Sequence, residues 1–498
     1  MKQNNTKLLL LTLLCLSALL ISSCKDQWKE HNALINAEND LTLLDKINQQ
    51  PELSSFAALL VRTGYDKVLA SSKTFTVWAP TNEALGKIND SVLRVDSLAK
   101  QFVANHIVNQ NYLASALKSS GTAEQRIQTL NGKFLTFNGS NVEESKLLKT
   151  DLVVRNGVLH EIDAALQVRQ NVWDYITGLS GVAQKQVTFL RSMNYSIEGT
   201  TKIYAANGTR NDYLERVAAL NDERKEFTYI LLTDEAYDQE YNKLSKFFTV
   251  TNLAARYDST QVYRTALQVT KDFVADHIVL PANLGTTLLA TTAVSIPIDK
   301  SAVVSTYRAS NGIVYIMNRA DFDVFRDKIR PIILEGEDMN SFSRTDRGGN
   351  ILTRIRLDEA GTQFTDRVIS GTGYAQFWAR GRINNLYAGK YQVYWRALND
   401  QGWSTAVPPA PVNFRQKLGF SAEPGALLPY VDIIPYTTVA YNNPDDRTRV
   451  REQLKEVYVG DITVAAWGFN QLYVIGDNVT TVGLNTTSLD YVKLVPIN

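Results

Sequence analysis

The stretch Phe-Thr-Val-Trp-Ala-Pro-Thr-Asn-Glu-Ala-Leu at residues 75–85 returns as Phe-Thr-Tyr-Ile-Leu-Leu-Thr-Asp-Glu-Ala-Tyr at residues 227–237. Two further blocks recur in the same order. Phe-Val-Ala-Asn-His-Ile-Val at 102–108 returns as Phe-Val-Ala-Asp-His-Ile-Val at 273–279, and Asn-Gly-Val-Leu-His-Glu-Ile-Asp at 156–163 as Asn-Gly-Ile-Val-Tyr-Ile-Met-Asn at 311–318. Collinear blocks define an internal duplication with units at 37–168 and 169–328. Each unit is a whole domain, since solenoid repeats run only about 20–50 residues. A chain of 498 residues is too long for one core, and residues 329–498 are left for a third domain.

The blocks have a physical reading. Phe75, Val77 and Ala79 alternate with polar or exposed positions, as in a strand, and Pro80-Thr81 stops it. Thr81 is placed to cap the next helix, with Glu83 against the positive end of its dipole. Leu98, Phe102, Val103 and Ile107 recur at helical spacing, which puts His106 on or beside that apolar face. Asn156-Gly157 predicts a hairpin turn ahead of a strand at Val158–Ile162. Upstream, Leu41, Leu44 and Ile47, then Phe56, Leu59 and Leu60, predict two short helices, the second opened by Pro51 and closed at Gly64. The repeats' histidines, His106, His160 and His277, lack the convergent spacing of a zinc site and are expected to be core or hydrogen-bonding residues. No nucleophile elbow, phosphate loop or dinucleotide fingerprint is present in the sequence.

The strand Thr-Val-Trp-Ala-Pro-Thr-Asn-Glu-Ala-Leu, the helix ending Asn-His-Ile-Val and the strand Asn-Gly-Val-Leu-His-Glu-Ile-Asp together resemble the fasciclin-like domain. The resemblance covers both repeats, the second one divergent. It implies a compact α+β domain of adhesion-type, generally non-enzymatic proteins. That family usually carries a Tyr-His pair, where this chain has Asn105-His106 and Asp276-His277.

Beyond residue 329 glycine-bounded apolar runs read as short strands of an all-β sandwich. Ile-Ile-Leu-Glu-Gly-Glu-Asp-Met-Asn-Ser-Phe, Gly-Lys-Tyr-Gln-Val-Tyr-Trp-Arg-Ala-Leu and Leu-Asp-Tyr-Val-Lys-Leu-Val-Pro resemble galactose-binding-like jelly rolls of the carbohydrate-binding-module type. The expected fold class is therefore multidomain: two α+β fasciclin-like domains, then a jelly-roll sandwich at 329–498. Such modules stack aromatic rings on sugars. Trp395 reads as core and Trp403, on a loop, as a candidate ligand contact. The resemblance also implies a structural calcium ion at Glu335, Glu337 and Asp490. Glu335 and Glu337, two apart on a strand, face one side, and Asp490 is expected in the last strand beside the first.

Lys2 and Lys7 precede the apolar run Leu8–Ile21, and Ile21-Ser22-Ser23-Cys24 resembles a bacterial lipobox. The expectation is a signal peptide at 1–23, a lipidated Cys24, an anchor linker at 24–36 and an outer-membrane protein facing the cell exterior. Cys15 leaves with the signal, so no internal disulfide is expected. A net charge of +1 with no basic run argues against nucleic acid as a partner. The function expected is non-catalytic binding of glycan or matrix material, with no enzyme activity, as an accessory of an outer-membrane glycan importer. The alternatives are a structural subunit that docks on outer-membrane proteins and, less favoured, a glycoside hydrolase, which would need two carboxylates facing across a cleft.

Overall fold

The computed structural model describes residues 40–121, 124–250, 260–358, 360–399, 412–421, 431–440 and 454–498, with 431–436 as backbone only. The chain divides into two compact units: residues up to 175 with 219–227 and 308–313, and residues 176–218, 228–307 and 314–498.

The first unit is centred on strand β1 (Phe75–Pro80), paired in parallel with strand β2 (Gly157–Ile162) inside a seven-stranded sheet. Every residue of both strands is buried, which corrects the alternation expected of β1. Helices cover one face, where Phe75, Val77 and Ala79 pack with Leu43, Phe56, Leu60 and Phe102. On the other face Trp78 packs with Phe137, Ile162 and Leu166. A strand covered on both sides keeps no exposed row. The flanking helices form as their residues predict. Thr42 and Asp45 make a capping box on helix Leu43–Asn48. Helix Ser54–Thr63 ends at Gly64, whose φ of 80° suits a residue without Cβ. Thr81 Oγ1 accepts from Ala84 N at 3.1 Å.

The Asn-Gly dipeptide makes more than a turn. Val154 lies opposite Gly157, so Arg155 and Asn156 form the hairpin turn and Gly157 is already in the strand. Asn156 Oδ1 accepts from Leu43 N at 2.8 Å, and its Nδ2 donates to Leu69 O at 2.6 Å. Asn311 repeats both bonds, to Val172 N at 2.8 Å and Leu220 O at 2.9 Å. The following glycine admits the neighbouring strand: a Cβ on Gly157 would sit 1.9 Å from Phe75 O, and one on Gly312 2.3 Å from Phe227 O.

The second repeat is built on strands β3 (Phe227–Leu232) and β4 (Gly312–Met317) of a four-stranded sheet. Its register corrects one sequence match. Thr76 Oγ1 donates to Gln110 O and accepts from Tyr112 N, at 2.7 and 2.8 Å. Thr228 Oγ1 makes the same pair with His277 O and Val279 N, at 2.7 and 2.9 Å. Trp78 N bonds His106 O where Ile230 N bonds Phe273 O. The counterpart of His106 is thus Phe273, and that of His277 is Gln110. The two Phe-Val-Ala triplets lie one helical turn apart: the first ends helix Asp96–Asn105, whereas Val274–Ala275 is already a strand. His160 and Tyr315, by contrast, do the same work. His160 Nε2 donates to Tyr112 O at 2.9 Å, and the Tyr315 hydroxyl to Val279 O at 2.6 Å.

Both core histidines of the first repeat are neutral. His106 Nδ1 donates to Phe102 O at 2.8 Å, so its Nε2 is the acceptor for Leu166 N at 2.9 Å. Burial pushes its pKa down to about 4 against the pull of the Phe102 carbonyl. His160 uses the other tautomer, its Nδ1 accepting from Asp151 N at 3.3 Å, and burial lowers its pKa as well.

The described residues between 332 and 498 form a sandwich. One sheet orders strands β5 (Ile332–Glu335), β8 (Tyr491–Ile497), β6 (Gly389–Arg396) and β7 (Val457–Val464) as β5-β8-β6-β7, and a five-stranded sheet faces it. Leu334, Val393, Trp395 and Leu494 from the first meet Ile383, Leu418, Leu472 and Val474 from the second. The exit from the second repeat is pinned by a buried ion pair. Lys328 Nζ lies 2.7 Å from Asp272 Oδ2, with both side chains at 1% exposure or less, and 3.9 Å over the Phe322 ring. Next to it the sandwich joins the repeat: Ala388 N donates to Phe247 O, Trp467 N to Thr249 O, and Phe248 packs edge-on against Tyr387 at 5.5 Å.

The His106 geometry predicts an acid dependence. A folded pKa of about 4 against 6.5 unfolded means that His106 stabilises the fold fully above pH 6.5 and loses that contribution as pH falls towards 4. At about 1.4 kcal/mol per pKa unit this is on the order of 3 kcal/mol. His106→Phe, the residue of the second repeat, should cost about 1–3 kcal/mol at pH 7 by stranding Leu166 N. It should also flatten the pH 6.5–4 slope of chemical denaturation; an unchanged slope would refute the assignment.

Candidate functional site

The outer face of the four-stranded sheet gathers the polar and aromatic groups that the core leaves out. Along β6, Tyr391, Val393 and Trp395 are buried while Gln392, Tyr394 and Arg396 are partly exposed. Along β8, Val492 and Leu494 are buried while Tyr491 and Lys493 are not. Register then lines up one row across four strands: Ile333 opposite Lys493, Lys493 opposite Tyr394, Tyr394 opposite Tyr458. A second row runs Glu335, Tyr491, Arg396.

Tyr458 reaches this face through an irregularity. The pairing steps from Val393 opposite Gly460 to Tyr394 opposite Tyr458, so Val459 is an extra residue. Unbroken alternation from the buried Ile462 would send Tyr458 inward; the extra residue turns it out, half exposed, beside Asp461. Its ring meets Tyr394 at 5.6 Å and 62°. The hydroxyls are tied down by neighbours: Tyr458 donates to Asp461 at 2.9 Å, Tyr394 to Gln392 Oε1 at 3.1 Å and Tyr491 to Glu456 at 2.9 Å. Lys493 Nζ also bonds Glu456 at 2.9 Å. Burial opposes ionisation of Glu456, but hydrogen bonds from Lys493 and Tyr491 hold its carboxyl below the usual range. Burial, reinforced by Glu456, pushes the Tyr491 phenol up to about 12, so it stays a donor. With the hydroxyls held, Tyr458 stands half exposed and Tyr394 partly exposed beside fixed polar groups, while Arg396 lies over the Tyr491 ring; the Tyr394–Tyr458 pair suits a polyol that has a flat apolar side.

The proposed calcium ligands lie at one end of this face. The pairing of first and last strands is as expected, and Gly336 N bonds Asp490 O. Two placements differ. Glu337 belongs to a 3-10 turn, Gly336–Asp338, and not to the strand that ends at Glu335. Asp490 lies in the bend between strands Thr487–Leu489 and Tyr491–Ile497. The carboxylates are nonetheless near neighbours. Burial raises the pKa of Glu335, and Asp490, Glu337 and Asp338 raise it further. Burial also raises that of Asp490 against its ion pair with Arg396. Glu337 Oε2 is buried without a donor. Among the described residues, no three Asp, Glu, His or Cys side chains stand close enough to hold a metal ion as they are.

Trp395 is core, at 2% exposure. Cys24 and Trp403 lie outside the described residues. Sequence reasoning missed Tyr394, Tyr458 and Tyr491. Alternation around the buried Trp395 could have found Tyr394; nothing in the sequence marks the extra residue that exposes Tyr458. No helix among the described residues is long and apolar enough to cross a membrane.

Residues 51–168 match the fasciclin domain. Over 134 residues the chain is 31% identical to human periostin, a match that takes in 25% of this chain and 16% of that protein's length. Among solved structures, the FAS1 domain pair of the insect cell adhesion molecule Fasciclin I aligns with 55% of this chain and 97% of its own, at 15% identity and a TM-score of 0.24. A family 35 carbohydrate binding module from Clostridium thermocellum aligns with 34% of this chain and 99% of its own, at 13% identity and a TM-score of 0.22. The chain is multidomain, with a fasciclin domain in its N-terminal half and a many-stranded sandwich at its C-terminal end.

Proposed function

We propose that this protein is a non-catalytic, surface-exposed lipoprotein that captures glycan or matrix material on the outer face of its sandwich. The observation that carries the reading is the row Lys493, Tyr394, Tyr458, in which aromatic faces stand beside fixed hydrogen-bonding groups. Ring faces stack on the apolar faces of pyranoses, and the rim reads hydroxyls. The adhesion-type fasciclin domain supports a binding role. A glycan array probed with the whole protein should give specific retention, and Tyr458→Ala should weaken it about tenfold with an unchanged melting temperature. Silence on the array together with co-purifying outer-membrane proteins would favour the structural-subunit reading instead.

Anchoring rests on Lys2, Lys7, the apolar run and Cys24. Several acyl chains on Cys24 would hold the protein stably at the membrane. Cys24→Ala should release it into the soluble fraction and abolish labelled-palmitate incorporation; a variant that still partitions with membranes refutes lipidation.

Calcium would be held by Glu335, Glu337 and Asp490, completed by backbone carbonyls or water. Burial raises the Glu335 and Asp490 pKa values and neighbouring carboxylates add to it, which together with the orphaned Glu337 Oε2 supports the reading. Arg396 would have to release Asp490. Calcium at a hundredfold over its dissociation constant should add about 2.7 kcal/mol of stability. Identical melting curves with calcium and with chelator would sink the idea.

A further inference from the structure

We propose that a second, separate binding site for a small carboxylate lies in the first unit, in a cavity of about 210 Å³ where Arg308 is its anchor. The lining includes Arg126, Lys133, Arg169 and Arg308, with Glu143, Glu144 and the apolar Phe134. The cations there are almost all spoken for. Arg169 bridges Glu143 and Glu144, at 2.9 and 2.6 Å. Lys133 pairs with Glu223, which also takes the Ser310 hydroxyl. Arg126 lies 3.1 Å from Glu226, donates to the backbone oxygens of Glu223 and Arg224, and stacks 4.1 Å over Phe134.

Arg308 is different. Its described contact is one hydrogen bond, Nη1 to Gly312 O at 3.0 Å, and no described carboxylate closes an ion pair with it. A guanidinium has five N–H donors, and the described hydrogen bond to Gly312 O uses one of them. It acts as a like charge on Arg126 and as an opposite charge on Glu144, a carboxylate whose ion pair is made by Arg169. A half-buried arginine beside another arginine, in a cavity whose carboxylates are already paired, is a site for an added anion. The planar fork matches the two oxygens of a carboxylate. Leu135 and Leu166 in the lining offer an apolar side, and a volume of about 210 Å³, below the usual range of ligand pockets, restricts the site to a small acid or a single terminal residue. The chemistry fits a free small acid or the uronate end of a glycan.

The test is calorimetric titration of the full chain with D-glucuronate, an oligogalacturonide, D-glucose and inorganic phosphate. Glucuronate should bind through Arg308, and any glucose binding should be unaffected by Arg308→Gln. Arg308→Gln should weaken glucuronate at least tenfold without lowering the melting temperature, Arg308→Lys should restore part of the loss, and Tyr458→Ala should leave it unchanged. Oligogalacturonide binding more tightly than glucuronate, and lost in Arg308→Gln, would assign the site to glycan ends; the reverse order would assign it to free acids. No glucuronate binding, binding indifferent to Arg308→Gln, or phosphate binding as tightly as glucuronate would overturn the proposal.

Discussion

A single asparagine side chain holds each repeat together. Asn156 and Asn311 each join the start of a helix to the end of a preceding segment through one amide, and each leads into the glycine that lets a parallel neighbour approach. Both ends of that amide are satisfied inside the protein, where a missing partner would cost about 1–3 kcal/mol. The parallel pair β1 and β2 can be buried on both faces because this join brings the covering helix to it. Parallel strands need covering on both sides, and the dipeptide is the local device that secures one of them.

Much of this was legible in the residues because it is local. Capping by Thr81, the helix stop at Gly64 and the duplicated Asn-Gly depend on a few adjacent side chains, and the structure keeps them. The burial of β1 on both faces was not legible, since its second cover, Trp78 with Phe137 and Leu166, comes from residues distant in the chain. The Phe-Val-Ala-Asx-His-Ile-Val match misled for a related reason. Identical letters can sit one helical turn apart when a helix ends earlier in one copy, and only Thr76 and Thr228 with their paired carbonyls reveal the true register.

The candidate sites divide in the same way. Strand alternation was enough to put Trp395 inside, but the same rule would also have buried Tyr458, which an extra residue turns outward. The carboxylates Glu335 and Asp490 were found as neighbours because first and last strands pair, whereas the strand geometry assumed for Glu337 gave way to a turn. The cavity around Arg308 combines side chains more than 150 residues apart, and no linear pattern announces it.

The join at Lys328 has a mechanical meaning. With Lys328 buried against Asp272 and the sandwich bonded to the repeat through Phe247, Thr249 and Trp467, the segment between them is no swivel. Twisting one part against the other would expose a charged pair and break backbone hydrogen bonds at once. A load taken up on the outer sheet would therefore pass into the second repeat as torque along a stiff arm. The tyrosine face is held at an angle set by the fold, as a bracket holds a plate, and not by a flexible leash.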